Sequence, residues 1–143
     1  MYNPEDLAYI AGIVDGEGCI IVATHSSGSN TIRVVVAMAD PEPLQLCYNV
    51  FGGWAYKRKN TNGRTLYSWY VQSKTALNVL RAIEPYIRGK REQVELALQF
   101  PTSDRGHKTS QEEKLIRATI KFRLSEMKRV EKDVAIGNLE MVS

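Results

Sequence analysis

Two carboxylates, Asp15 and Glu17, flank Gly16 in the segment Ile10-Ala11-Gly12-Ile13-Val14-Asp15-Gly16-Glu17-Gly18. The residues before them read as a helix, so both acids fall at its C-terminal end, where the macrodipole disfavours negative charge. A divalent cation would offset that cost. Mg²⁺ takes hard oxygen ligands and typically uses one or two carboxylates plus substrate phosphates. The competing reading of so short a spacing is a pair of exposed loop acids. The same helix has a second unusual feature: Ala8, Gly12 and Gly16 recur every four residues as a stripe with almost no side chain. Such a stripe lets two helix backbones approach closely. An interior glycine costs about 1 kcal/mol relative to alanine, so Gly12 calls for a close neighbour. That neighbour is either another helix of the same chain or a second molecule. Leu7, Ile10 and Val14 lie on another side and suit a core.

The surrounding elements follow from caps, turns and periodicity. Asn3-Pro4-Glu5-Asp6 opens the first helix, which is expected over Leu7–Asp15 and to stop at Gly16 and Gly18. Strands are expected over Cys19–His25 and Thr31–Ala39, joined by the polar turn Ser26–Asn30. Asp40-Pro41-Glu42 starts a second helix reaching about Val50, ended by Phe51-Gly52-Gly53. Trp54–Lys59 and Arg64–Gln72 form a hairpin around Asn60-Thr61-Asn62-Gly63. Helices follow from Ser73 to Ile83, with Leu77, Leu80 and Ile83 on one side, and from about Lys90 to Phe100, with Val94, Ala97 and Leu98 inward. After the polar connection Pro101–Thr109, Ser110-Gln111-Glu112-Glu113 is a capping box. It opens a helical segment over about 110–132, with Ile116, Ile120, Met127 and Val130 inward and a frayed tail beyond. The pattern α-β-β-α-β-β plus C-terminal helices predicts an α+β fold, an antiparallel sheet with helices on one face and the other face free.

At 143 residues the chain suits a single domain. No apolar run approaches the roughly 18 residues of a membrane span, and the N-terminus lacks a secretory pattern. Cys19 and Cys47, His25 and His107 show no zinc-ligand spacing. A cytoplasmic or organellar-matrix location is expected. The net charge of +3 hides a gradient. Residues 1–52 hold one basic and six acidic residues, a net of −5, whereas residues 53–91 hold nine basic and one acidic, a net of +8. Residues 92–143 balance. A basic central block points to a polyanionic partner, although a solvated charged face is the commoner cause.

Residues Asn3–Gly18 resemble the signature of the LAGLIDADG homing endonucleases, with Ile10–Gly18 matching the core nonapeptide. Phe51-Gly52-Gly53 lies where that family ends its second helix, and Glu84-Pro85-Tyr86-Ile87-Arg88-Gly89-Lys90 is similar to its Pro-Tyr-Leu-x-x-Lys segment. The resemblance covers residues 3–100 of what reads as one endonuclease domain over 1–143. It implies an intron-encoded, site-specific double-strand DNA endonuclease. A single copy of the signature implies a homodimer, with Ala8, Gly12, Asp15 and Gly16 at the interface and a palindromic or near-palindromic target. The paired sheets would form a saddle over the duplex.

The family's metal-ligand acid position is occupied by Glu17, where aspartate is commoner, and the Gly16 carbonyl is a second ligand. Mg²⁺ is the implied cofactor, with Mn²⁺ able to substitute and Ca²⁺ supporting binding without cleavage. No small-molecule cofactor and no membrane partner are implied. Asp15 is expected to hold the end of the motif helix rather than bind metal. Lys90 falls on the active-site lysine position. By family register, Lys57 and Lys59 face the major groove while Tyr56 and Arg58 point away. His25, Arg33 and Arg64 are further DNA contacts, and Tyr67 and Trp69 either read bases or pack on helices. The odd-numbered face of the first strand (Cys19, Ile21, Ala23, His25) is apolar for a groove surface; it suits thymine methyl groups or signals a different register. The end of the second strand reads Ala37-Met38-Ala39-Asp40, without the glutamine that some members place there. That departure leaves open an RNA-splicing maturase, or a non-cleaving DNA-binding protein on the same scaffold.

Overall fold

The computed structural model describes residues 1–102 and 109–142, with nothing said of side chains beyond residue 130. Helix α1 spans Pro4–Glu17, its N-terminus capped by the Asn3 side chain, which accepts from the Glu5 and Asp6 amides. The helix runs two residues past its expected end, and strand β1 (Gly18–Thr24) begins without an intervening loop. Gly18 makes that join feasible. A Cβ there would lie 2.7 Å from the Val14 carbonyl oxygen, a contact only glycine avoids.

Strand β2 (Asn30–Met38) is followed by α2 (Glu42–Phe51), strands β3 (Trp54–Lys59) and β4 (Thr65–Gln72), and α3 (Ser73–Ile83). A 3₁₀ turn at Glu84–Tyr86, centred on Pro85, leads to α4 (Arg91–Ala97), shorter than the expected Lys90–Phe100. Helix α5 runs over Gln111–Val142, well beyond the expected 110–132. Its N-terminus carries the predicted cap, the Glu113 amide donating to Ser110 Oγ at 3.1 Å. Residues 103–108, with His107, lie outside the described residues.

The sheet is antiparallel, in the order β1-β2-β4-β3, so the chain has the predicted α+β fold. One face packs on the helices and carries Ile20, Val22, Ile32, Val34, Val36, Trp69 and Val71, all buried. From α1 this core receives Leu7, Ile10, Ala11, Ile13 and Val14, and from α3 Leu77, Leu80 and Ile83. Each of the Val, Leu and Ile side chains among them is worth about 1.5–3 kcal/mol when buried. A one-residue slip would turn a whole strand's set outward, so this packing fixes the register.

Helix α5 lies along β1, the edge strand at one side of the sheet. Lys128 Nζ donates to the Ile20 carbonyl and Lys121 Nζ to Thr24 Oγ1, covering an edge that would otherwise be free to pair. The expected inward set on α5 needs correction. Ile120 and Leu124 are buried and Met127 packs against the core, but Ile116 and Val130 are exposed. A helix laid along one strand edge buries a narrower stripe than one laid across a sheet face. On α4, Val94 and Ala97 are buried as expected, joined by Leu96, while Leu98 is only partly buried. Burial pushes the Cys47 thiol from 9.0 up to about 12, so it stays protonated and inert in the core.

Candidate nuclease centre and nucleic-acid face

The C-terminal end of α1 brings together residues far apart in sequence. Asp15, half-buried, turns its carboxylate toward its own chain: Oδ2 accepts from the Arg88 amide at 2.8 Å and Oδ1 from the Lys90 amide at 2.9 Å. Lys90 Nζ donates in return to the Asp15 carbonyl at 2.6 Å. A terminal helix carbonyl has no intrahelical donor and sits at the negative end of the dipole, so an ammonium there is doubly favoured. Three hydrogen bonds thus clamp the turn before α4 onto α1, and they explain why an acid is tolerated at Asp15. Its dipole penalty is offset by these amide donors. In one chain Asp15 therefore lies beside the expected dimer stripe with its polar atoms directed away from it.

Glu17 differs in every respect. It is exposed and has no hydrogen-bond or ion-pair partner among the described residues. Gly16 beside it is also exposed. An unpaired carboxylate and the carbonyls of a helix terminus are hard oxygen donors of the kind Mg²⁺ accepts. Among the described residues there is no cluster of three or more His, Cys, Asp or Glu side chains. A cation held here would take its remaining ligands from water, phosphate or another molecule.

The stripe of Ala8, Gly12 and Gly16 faces outward. All three are exposed, and a Cβ added at Gly12 or Gly16 would meet nothing within 4 Å. Among the described residues no helix packs there, so Gly12 has no intrachain partner among them. Alongside the stripe runs an open groove of about 760 Å³ lined by Ala8, Gly12, Asp15, Pro85, Tyr86, Arg88 and Arg91.

The free sheet face follows from the pairing. Cys19 lies opposite Val35, which lies opposite Tyr70, which lies opposite Trp54. Adjacent rows hold Ile21, Arg33 and Gln72, and Ala37, Ser68 and Tyr56. Trp54 stacks on Tyr70 at 6.3 Å, Tyr56 meets the same ring edge-on at 6.2 Å, and the Arg33 guanidinium sits 4.7 Å above it. Arg33 also donates to Gln72 Oε1 at 3.0 Å. His25, exposed at the end of the first hairpin, pairs with Thr31 Oγ1 at 2.8 Å. Arg64 is exposed at the second hairpin turn, where its amide donates to Asn60 Oδ1.

This register corrects the expected one. Lys57 pairs with Tyr67, and Ala55, two residues away on the same side, pairs with the fully buried Trp69. Lys57 and Lys59 therefore belong to the helix-side face, where both stay exposed because β3 is the outermost strand. Arg58, Tyr56 and Trp54 occupy the free face instead. Trp69 is a core residue whose Nε1 donates to the Gly52 carbonyl at 2.7 Å, and Tyr67 packs partly against the same core. Both belong to the helix-side face of the sheet. Tyr70 and Gln72 share the free face, and neither these nor Trp54 stands out in the sequence alone. Aligning the apolar Trp69 and Val71 with Val34 and Val36 would have found them.

No protein-family model matches the sequence, and no curated protein sequence is significantly similar to it. Solved structures are similar. The homing endonuclease I-CvuI, crystallised on DNA with 2 mM Mg and the DNA not cleaved, is 25% identical, with a TM-score of 0.55 and 68% of each chain covered. The archaeal intron-encoded homing endonuclease I-Vdi141I, complexed with DNA, has a TM-score of 0.55 at 16% identity over 67% of this chain and 66% of its own. The LAGLIDADG homing endonuclease I-LtrWI, bound to target DNA, is 25% identical with a TM-score of 0.50, covering 66% of this chain and 36% of its own. Through the motif carried by α1 and the α+β fold built around it, this chain resembles the LAGLIDADG homing endonucleases.

Proposed function

We propose that two copies of this chain pair through the exposed stripe of α1 and cut both strands of a specific DNA duplex at a palindromic or near-palindromic site. The observation that carries this reading is a small-residue helix face, open to solvent, that ends in an exposed and unpartnered Glu17. Pairing of the stripes brings two Glu17 carboxylates to one symmetry axis, and the two free sheet faces then span the duplex on either side.

Glu17 and the Gly16 carbonyl are the residues that would hold Mg²⁺, with Mn²⁺ as a substitute and Ca²⁺ supporting binding alone. When bound, the cation supplies an activated water and neutralises charge on the scissile phosphate. Lys90 keeps a positive charge at the helix end, where it stabilises the developing phosphorane charge. Asp15 holds Lys90 in position and takes no part in proton transfer. Arg33, Arg58, His25 and Arg64 contribute duplex contacts. An intron-encoded origin fits such an enzyme.

A plasmid carrying the uninterrupted host-gene sequence should be linearised in Mg²⁺ and left intact in Ca²⁺ or EDTA. Glu17→Gln should bind as wild type and lose cleavage by on the order of 10³-fold or more. Cutting at the wild-type rate by Glu17→Gln would remove Glu17 from the chemistry. A second reading, a maturase or non-cleaving binder, is favoured by Met38-Ala39-Asp40, which has no glutamine and whose Asp40 accepts from the Glu42 amide. Retained binding with no cleavage in Mg²⁺ or Mn²⁺ would select it.

A further inference from the structure

On β1 and β2 the free face of the sheet carries apolar side chains and one thiol where it lies nearest Glu17. Cys19 is two residues beyond that acid, and Cys19, Ile21 and Ala23 of β1 share the face with Val35 and Ala37 of β2. All five are half-buried. None carries an amide, carboxylate, hydroxyl or basic group, and the Cys19 thiol is already approached by Lys128 Nζ at 3.3 Å. Arg33 lies opposite Ile21, with its guanidinium turned across the sheet over the Tyr70 ring and onto Gln72. An apolar strip with a cation beside it is complementary to a duplex groove, whose phosphates lie at the sides and base edges at the centre.

Base edges in the major groove are nearly all polar. Guanine presents N7 and O6, adenine N7 and an amino group, and cytosine an amino group; thymine alone offers a methyl. A polar edge pressed against Ile21 or Val35 would lose water and gain no partner, which is costly. We infer that this strip selects thymine at the base positions nearest the cleavage centre, with Ile21 and Val35 closing on C5-methyl groups. The inference rests on the DNA-binding reading above and adds the base class that the chain prefers.

The full-length protein would be incubated in Ca²⁺ with a randomised duplex pool, and the retained duplexes sequenced. Thymine should be enriched on both sides of the centre. Replacing those thymines singly with deoxyuridine removes only the methyl and should weaken binding about fourfold per site, the value of one buried methyl group. Ile21→Gln, on an unpacked face, should shift the selected base at one position toward adenine. Retained duplexes whose affinity ignores deoxyuridine would overturn this inference and leave the DNA-binding reading intact. Retention of no duplex at all would overturn both.

Discussion

Asp15 and Glu17 are two residues apart and have opposite fates, and the difference is one of partners. The Asp15 oxygens are matched by the amides of Arg88 and Lys90, while Glu17 is left in solvent. Asp15→Asn tests that division. An amide group is neutral and can accept through only one oxygen, so one of the two N–H groups loses its acceptor and the other keeps an uncharged one. Such a loss costs about 1–3 kcal/mol and should appear as a lower urea midpoint, with duplex affinity in Ca²⁺ unchanged. An unaltered midpoint would mean that the clamp contributes nothing. The identities of Asp15 and Lys90 were legible as members of motifs. That one holds the other was not, because the two lie 75 residues apart and no local pattern links them.

At the scale of elements, α1 divides cleanly into a buried side and a bare side. Among the described residues a Cβ at Gly12 meets no neighbour, so the propensity cost of Gly12 is not recovered by any of them. Gly12→Ala should raise the stability of the single chain by about 0.5–1 kcal/mol. Gly12→Leu should leave the fold intact, since a Cβ there meets open space, yet block helix pairing. Sedimentation velocity should then report a monomer for Gly12→Leu and a dimer for the parent chain; a dimeric Gly12→Leu would refute the proposed interface. The two faces of α1 were readable from four-residue spacing alone. Whether the bare face met another helix of the chain was not, since spacing says nothing about which elements pack together.

For the whole molecule, the modest net charge is the average of an acidic first third and a basic middle. The acids include the exposed end of α1, and the bases include the outer hairpin and the turn that carries Lys90. Phosphate contacts dominate the salt dependence of duplex binding, each contributing about −0.9 to the slope of log K against log salt. Arg58→Ala removes one contact from each half of the dimer and should therefore flatten the slope by about two, while Lys57→Ala should leave it near that of the parent. Equal effects from the two would put the duplex on both sides of β3 and contradict the register. The alternation of Ala55-Tyr56-Lys57-Arg58-Lys59 separates these residues into two sets in any strand; it does not say which set is free.

What the sequence determined by itself was local and periodic: the caps at Asn3 and Ser110, the two hairpins, the two-sided α1, the apolar strands and the ordered family motifs. These depend on residues within a few positions of one another, where backbone preference and side-chain period act directly. The tertiary structure decided what depends on distant partners. It clamped Lys90 to the end of α1, left Glu17 and the glycine stripe uncovered, laid α5 along the edge of β1, and buried Trp69 so that Arg58, rather than Lys57, shares the free face with Arg33. The physical reason is the strand order. β4 pairs with β2 across an intervening helix and strand, and the burial of Val34, Val36, Trp69 and Val71 in that pairing sets the parity of the outer strand. No pattern within β3 could have supplied it.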